Sequence, residues 1–387
     1  MIGWDGASND VGYVQYVFKG NFPYFYLFRS PLLSQIRQRK CVLEITCNMP
    51  TTQAMAGSIT DFFLRCGLTV QDQHDCFTFA AQRYPDASIT LAPCQGYCSL
   101  TLFIDGDKVV QFRPQCYRLD LRNSKEAREI HGCLAPDTKF LATLPNSGLL
   151  AYSMDRIDGV TLRDFRDASG GTAVPREILV RLCMDFALFL SKAWNKNTQT
   201  QFGLGIVGKS IIPRLKSLCV NLPARFRPTA WRVLSQIHQV EALPWILTHG
   251  DITSGNIMIS PSSGNILGLV DWAEAEHLPF GVGLYGLEEV LGEMTSTGFK
   301  YHRDASDLRR IFWDALRKEI PALHSSHVFK SVQLARDLGV LLWHGIAFDN
   351  GAIDRVVEDG KDLEEIYRLD AFLDIKETQS VCRLSKI

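Results

Sequence analysis

The spacing of apolar residues changes along the chain, and the changes divide it. Ile59, Phe62, Phe63 and Cys66 recur at helical spacing. Ser58, Thr60 and Asp61 lie near the start of that run and Gly67 follows it, which predicts a helix near 58–66. A period of two follows. Ser88–Leu91 reads as a short strand, and Tyr97–Ile104 as a longer one with Leu100, Leu102 and Ile104 on one face. Asp105-Gly106-Asp107 has hairpin-turn chemistry, and Val109–Arg113 returns as the partner strand. Asn123, followed by Lys125, Glu126, Ala127, Arg128, Glu129 and Ile130, predicts a capped, charged helix over 123–132 beside a small antiparallel sheet. The run Leu149–Met154 predicts a strand that ends in a turn at Asp155–Gly159.

Beyond that turn the pattern becomes helical. Leu179, Leu182, Cys183, Phe186, Leu190 and Ala193 form a stripe, with Pro175 placed for a first turn. Gly264 and Asn265 turn a hairpin between Ile257–Ile259 and Ile266–Val270, and helical periodicity resumes from 284 to 373. The expected class is α+β and bilobal: an N-lobe over 49–150, a hinge over 151–159 and a larger helical C-lobe over 160–378. Residues 1–48 are aromatic-rich and weakly periodic, with a basic patch at Arg37, Arg39 and Lys40. They read as a poorly ordered N-terminal extension.

Composition narrows the function classes. A net charge of −1 leaves no electrostatic footprint for nucleic acid or an anionic membrane. No apolar run reaches the roughly 18 residues of a membrane span, and no secretory signal is visible. Cysteine is plentiful at 11, but Cys94 and Cys98 stand four apart with no His nearby, which argues against zinc. Reduced cysteines filling the core of a cytoplasmic protein are expected.

The chemistry concentrates in Thr248-His249-Gly250-Asp251-Ile252-Thr253-Ser254-Gly255-Asn256 and in Val270-Asp271-Trp272. Asp251, Asn256 and Asp271 each sit beside an apolar β-type run. Phosphoryl transfer needs such an order: one carboxylate to orient and deprotonate an acceptor hydroxyl, and an amide plus a second carboxylate to supply oxygen to Mg²⁺. His249 is expected to hold the loop rather than act as a base.

These two segments resemble the catalytic and metal loops of the aminoglycoside phosphotransferase and choline kinase branch of the protein-kinase-like superfamily. Leu278-Pro279-Phe280-Gly281 and Leu284-Tyr285-Gly286-Leu287-Glu288-Glu289 narrow the likeness to fungal proteins of the phosphotransferase enzyme family. The resemblance implies ATP and Mg²⁺ as cofactors, Asp251 as catalytic base, and Asn256 and Asp271 as metal ligands. Its nucleotide side implies a phosphate-facing loop at Gly96, although no G-x-G-x-x-G is present. It also implies a strand cation at Arg113, with Gln111 as the alternative, and a helix glutamate to pair with it, Glu126 or Glu129. Backbone of 151–155 is expected to meet adenine. Gly250 stands where phosphorylation-regulated protein kinases carry Arg, which favours a small-molecule hydroxyl acceptor over a protein. A kinase-like binding or regulatory protein without turnover is the alternative, and a protein kinase the second alternative. Glu274, Glu276, Glu288 and Glu289 read as surface charges, and Trp272, Tyr285 and Trp343 as core aromatics.

Overall fold

The computed structural model describes residues 53–169, 174–196, 203–347, 353 and 355–373. The expected extension at 1–48 lies outside the described residues. The chain opens with α1 (Gln53–Arg65) and α2 (Val70–Arg83). The first begins earlier than the apolar spacing indicates and ends before Gly67, whose φ is 67°. The second was not legible from periodicity, yet its start is specified locally. Thr69 accepts the Asp72 N–H, and the Asp72 carboxylate accepts the Thr69 N–H in return, a reciprocal cap.

A five-stranded antiparallel sheet follows in the order β1-β2-β3-β5-β4: β1 (Ile89–Leu91), β2 (Leu100–Ile104), β3 (Lys108–Arg113), β4 (Thr138–Thr143) and β5 (Leu150–Asp155). Asp105 and Gly106 take φ of 50° and 87° and turn the β2–β3 hairpin at the expected place. Leu100, Leu102 and Ile104 share the face that packs on Phe62, Phe63 and Phe112. Helix α3 (Leu121–His131) stands between β3 and β4. Asp120, not Asn123, caps it by accepting the Arg122 N–H. Residues 151–155, expected in the hinge, run as strand β5, so the irregular link between the lobes is 156–159.

The C-lobe is assembled from β6 (Val160–Thr161), α4 (Leu162–Ala168), α5 (Arg176–Asn195), α6 (Ile206–Asn221), α7 (Arg227–Ser235), α8 (Ile237–Glu241), β7 (Trp245–Thr248), β8 (Ile257–Ile259), β9 (Ile266–Leu269), β10 (Glu276–Pro279), α9 (Gly286–Leu291), β11 (Gly292–Thr295), β12 (Gly298–Tyr301), α10 (Ala305–Glu319), α11 (Ser326–His344) and α12 (Leu363–Phe372). The whole stripe from Leu179 to Ala193 is buried on α5, as its spacing requires. The hairpin β11–β12 interrupts the helical stretch expected after 284. Helix α11 passes so close to the turn at Val282–Tyr285 that a Cβ on Gly339 would lie 1.9 Å from the Val282 carbonyl oxygen. Only glycine fits this crossing.

Among the described residues no helix is long and apolar enough to cross a membrane. The described cysteines are free. Cys76, Cys98, Cys183 and Cys219 are buried, as expected of core residues, whereas Cys94, Cys116 and Cys133 are exposed.

Candidate active site

Strand pairing places the key side chains. In the β8–β9 hairpin Ile257 lies opposite Leu269, and one step further the Val270 N–H donates to the Asn256 carbonyl at 3.0 Å. Asn256 and Asp271 therefore emerge at the same open end of one hairpin. The loop from β7 to β8 brings Asp251 to that end. The Asn256 Nδ2 donates to the Asp251 carbonyl at 2.9 Å and to its Oδ2 at 2.7 Å. Asp271 has a φ of 61°, a left-handed conformation that aspartate tolerates and that clusters at functional sites.

The loop is held from behind. His249 Nε2 lies 2.9 Å from the Val270 carbonyl, and its Nδ1 accepts the Asp251 N–H at 3.2 Å. This pattern fixes the tautomer with hydrogen on Nε2. Burial lowers the His249 pKa to about 4, so the ring is neutral and serves as the loop's support. Tyr285 Oη accepts the Ile252 N–H at 2.9 Å, and Trp343 Nε1 donates to the Gly250 carbonyl at 2.6 Å. The two rings stack at 5.0 Å. Gly250 has a φ of 85°, and a Cβ there would sit 2.2 Å from the Glu274 carbonyl oxygen. The absence of Arg before Asp251 thus has a steric cause.

Electrostatically the site carries an excess of negative charge. Asp251 is buried, and its carboxyl is raised to about 7, first by burial and then by the charge of Asp271; the Asn256 hydrogen bond partly offsets this. Glu274 was read as a surface charge, but both its carboxylate oxygens are buried without a hydrogen-bond partner. Burial, followed by Asp271 and Asp251, holds its pKa well above the usual carboxylate range. The other three glutamates are also buried, contrary to expectation, but each has partners. Glu276 accepts the Val207 and Gly208 N–H groups, Glu288 binds Arg309 and Arg336, and Glu289 binds Arg368. Nothing in residue type or spacing marked Glu274 apart; only the packing does.

The residues expected on the nucleotide side differ from expectation in their pairing. Arg113 lies on β3 and is 2% exposed. Its Nε donates to Gln111 Oε1 at 2.9 Å and its Nη2 lies 3.3 Å from Asp271 Oδ1. The two alternatives for the strand cation therefore meet, with Gln111 orienting Arg113. Arg113 does not pair with Glu126. Helix α3 is tied to β10 through Asn123, whose Nδ2 donates to the Ala275 carbonyl, and this presents Glu126 to His277 at 3.0 Å. Glu129 is exposed and pairs with Lys125. Gly96 lies in the β1–β2 loop, where a Cβ would meet only Ser99 Oγ at 3.8 Å, so the fold itself does not demand glycine. Gln95 shapes that loop by bonding the Ala92 and Thr101 backbone.

A cavity of about 290 Å³ opens beside the loop, lined by Gly250, Glu274, Tyr117, Asp120, Ile206 and Trp343. Among the described residues no group of three or more His, Cys, Asp or Glu side chains could hold a metal ion. The donor set of Asp271 and Asn256 fits a hard divalent cation that brings phosphate and water oxygens with it.

Residues 125–282 match the family profile described as "Phosphotransferase enzyme family". Among curated proteins no relative is found. Among solved structures, the GDP complex of aminoglycoside 2′-phosphotransferase-IIIa aligns at 12% identity over 68% of this chain and 97% of its own, with a TM-score of 0.43. An aminoglycoside phosphotransferase from Streptomyces rimosus, in complex with ADP and streptomycin, aligns at 13% over 69% and 98%, TM-score 0.42. An aminoglycoside-3′-phosphotransferase of type VIII aligns at 13% over 68% and 98%, TM-score 0.43.

Proposed function

We propose that the chain is an ATP- and Mg²⁺-dependent O-phosphotransferase acting on a hydroxyl of a small molecule. The observation that carries this reading is the direct bond of Asn256 to Asp251, whose affinity for protons is raised by burial and then by Asp271. Asp251 receives the acceptor hydroxyl, aims it in line with the γ-phosphorus and takes its proton as the new P–O bond forms and ADP leaves. A carboxyl poised near neutrality suits that task. Asn256 spends its Nδ2 on Asp251, which leaves its Oδ1 as the oxygen it could offer a cation. Asp271 and Asn256 would hold Mg²⁺, which would supply positive charge against that developing on the transferred phosphoryl group. Arg113 supplies positive charge from the sheet side, with the β1–β2 loop at Gly96 as the phosphate cover. The 290 Å³ cavity beside Gly250 is where the acceptor would lie.

The alternative of a kinase-like binding protein without turnover has one observation in its favour: Arg113 is engaged by Gln111 and Asp271 instead of by a helix glutamate. A phosphorylation-regulated protein kinase is disfavoured by the packing at Gly250. The deciding experiment incubates the full chain with labelled ATP, Mg²⁺ and an extract of its source cells, and identifies the labelled product by mass spectrometry. Nucleotide binding with no labelled product across the extract would favour the alternative.

The cation reading also has a pH signature. Between its ordinary value of 3.8 and its folded value of about 7, Asp251 keeps a proton in the folded chain that the unfolded chain has lost. Stability without metal should therefore fall as pH rises across that window. Glu274 adds in the same direction. Mg²⁺ prefers the ionised carboxylates, so it should raise the melting temperature more at about pH 8 than at about pH 5. Equal Mg²⁺ shifts at both pH values would count against Asp271 and its neighbours as the cation site.

A further inference from the structure

A second cavity, of about 660 Å³, is lined by Leu287 and Glu288 of α9. Its polar lining is unbalanced: Arg232, Arg303, Arg309 and Arg336 face it, against only Glu288 and Asp337. The two carboxylates are already shared. Glu288 takes Arg309 and Arg336 at 2.6 Å each and also accepts the Tyr301 hydroxyl, while Asp337 takes Arg232 and Arg336. Arg303 has no carboxylate partner among the described residues. Nearby Asp304 and Asp307 are engaged by Arg176 and so do not relieve the excess. Counting these side chains alone, the wall carries two more positive charges than negative ones.

Each guanidinium has five N–H donors, and Arg232 and Arg309 each use one nitrogen on these carboxylates. The remaining donors on these two anchored side chains, together with Arg303, offer guanidinium forks of the kind that grip oxyanions. Glu288, 2% exposed beneath them, fixes where Arg309 and Arg336 point. The cavity volume is that of a metabolite-sized site. None of Asp251, Asn256, Asp271 or Arg113 lines it, so it is distinct from the proposed phosphotransfer cleft.

We propose that this cavity is a binding site for a small anion carrying two or more oxyanion charges, phosphate or carboxylate. The site is independent of the proposed catalytic reading, because it neither shares its residues nor needs turnover. The test is calorimetric titration of the full chain with pyrophosphate and, separately, with citrate, at low ionic strength and without divalent cation. The variants are Arg303→Glu, Arg303→Gln and Arg113→Gln. Arg303 is exposed and holds no carboxylate partner among the described residues, so both of its variants should fold, which their melting temperatures report.

The wild-type chain should bind at least one of the two probes saturably. Arg303→Glu should weaken that binding by at least about tenfold and Arg303→Gln by less, since a like charge now faces the ligand. Arg113→Gln should retain it. Binding of pyrophosphate alone would assign the site to phosphorylated ligands, and binding of citrate alone to polycarboxylates. The proposal fails if neither probe binds, if Arg303→Glu binds as the wild type does, or if Arg113→Gln alone abolishes binding, which would put the anion in the cleft.

Discussion

Replacing Asp251 with alanine is expected to slow phosphoryl transfer by about 10²–10⁴-fold while leaving the fold intact, because a positioned general base contributes on that scale. The same change should destabilise the chain only slightly above neutral pH. Asp251 is 3% exposed, and its charge is opposed by burial and by Asp271. Removing it relieves that cost, which offsets part of the lost Asn256 hydrogen bond. Turnover and melting temperature measured on one preparation separate the two effects. A variant with near-native turnover would remove Asp251 from the mechanism. A variant that unfolds would instead make it a structural residue.

The second large effect is expected far from that loop, at Glu288. This carboxylate is 2% exposed and accepts from Arg309, Arg336 and Tyr301. Its two arginine partners hold it ionised, below the usual range, despite the opposing effect of burial. Glu288→Ala should lower unfolding stability by about 3–5 kcal/mol, since it leaves Arg309 without that carboxylate and deprives Arg336 of one of its two acceptors. Urea denaturation monitored by circular dichroism measures this directly. Glu288→Gln, which keeps an acceptor oxygen, should cost less. A loss below about 1 kcal/mol for Glu288→Ala would mean the arginines are satisfied by water and the network contributes little.

Local signals were read well from the sequence. Thr-His-Gly-Asp, the Gly264-Asn265 turn and Asp271 sit within one short stretch, so the β8–β9 pairing alone brings Asn256 beside Asp271. The β2 face and the α5 stripe were legible for the same reason, since periodicity reports burial directly. The misses have other causes. Strand β4 is an edge strand with mixed exposure and no alternation to detect. The start of α2 is written in a cap at Thr69 and Asp72, not in apolar spacing. Glu126 was expected to meet Arg113 across the lobe, but side-chain partners 151 positions apart in sequence, as with His277, depend on how α3 docks. The burial of Glu276, Glu288, Glu289 and the Glu274 carboxylate was likewise invisible: a charged residue reads as surface until its arginine, its helix end or its cavity is in place.

Trp343 ties the far end of α11 to the residue just before Asp251. Its indole is stacked on Tyr285 and nearly shut off from water. Any movement that drew the Gly250 carbonyl away would change the polarity around that ring, so the chain carries an intrinsic fluorophore wired to the loop that holds Asp251. Emission from this one indole, isolated by replacing the other tryptophans, offers an optical readout of whether the loop stays seated as ligands arrive.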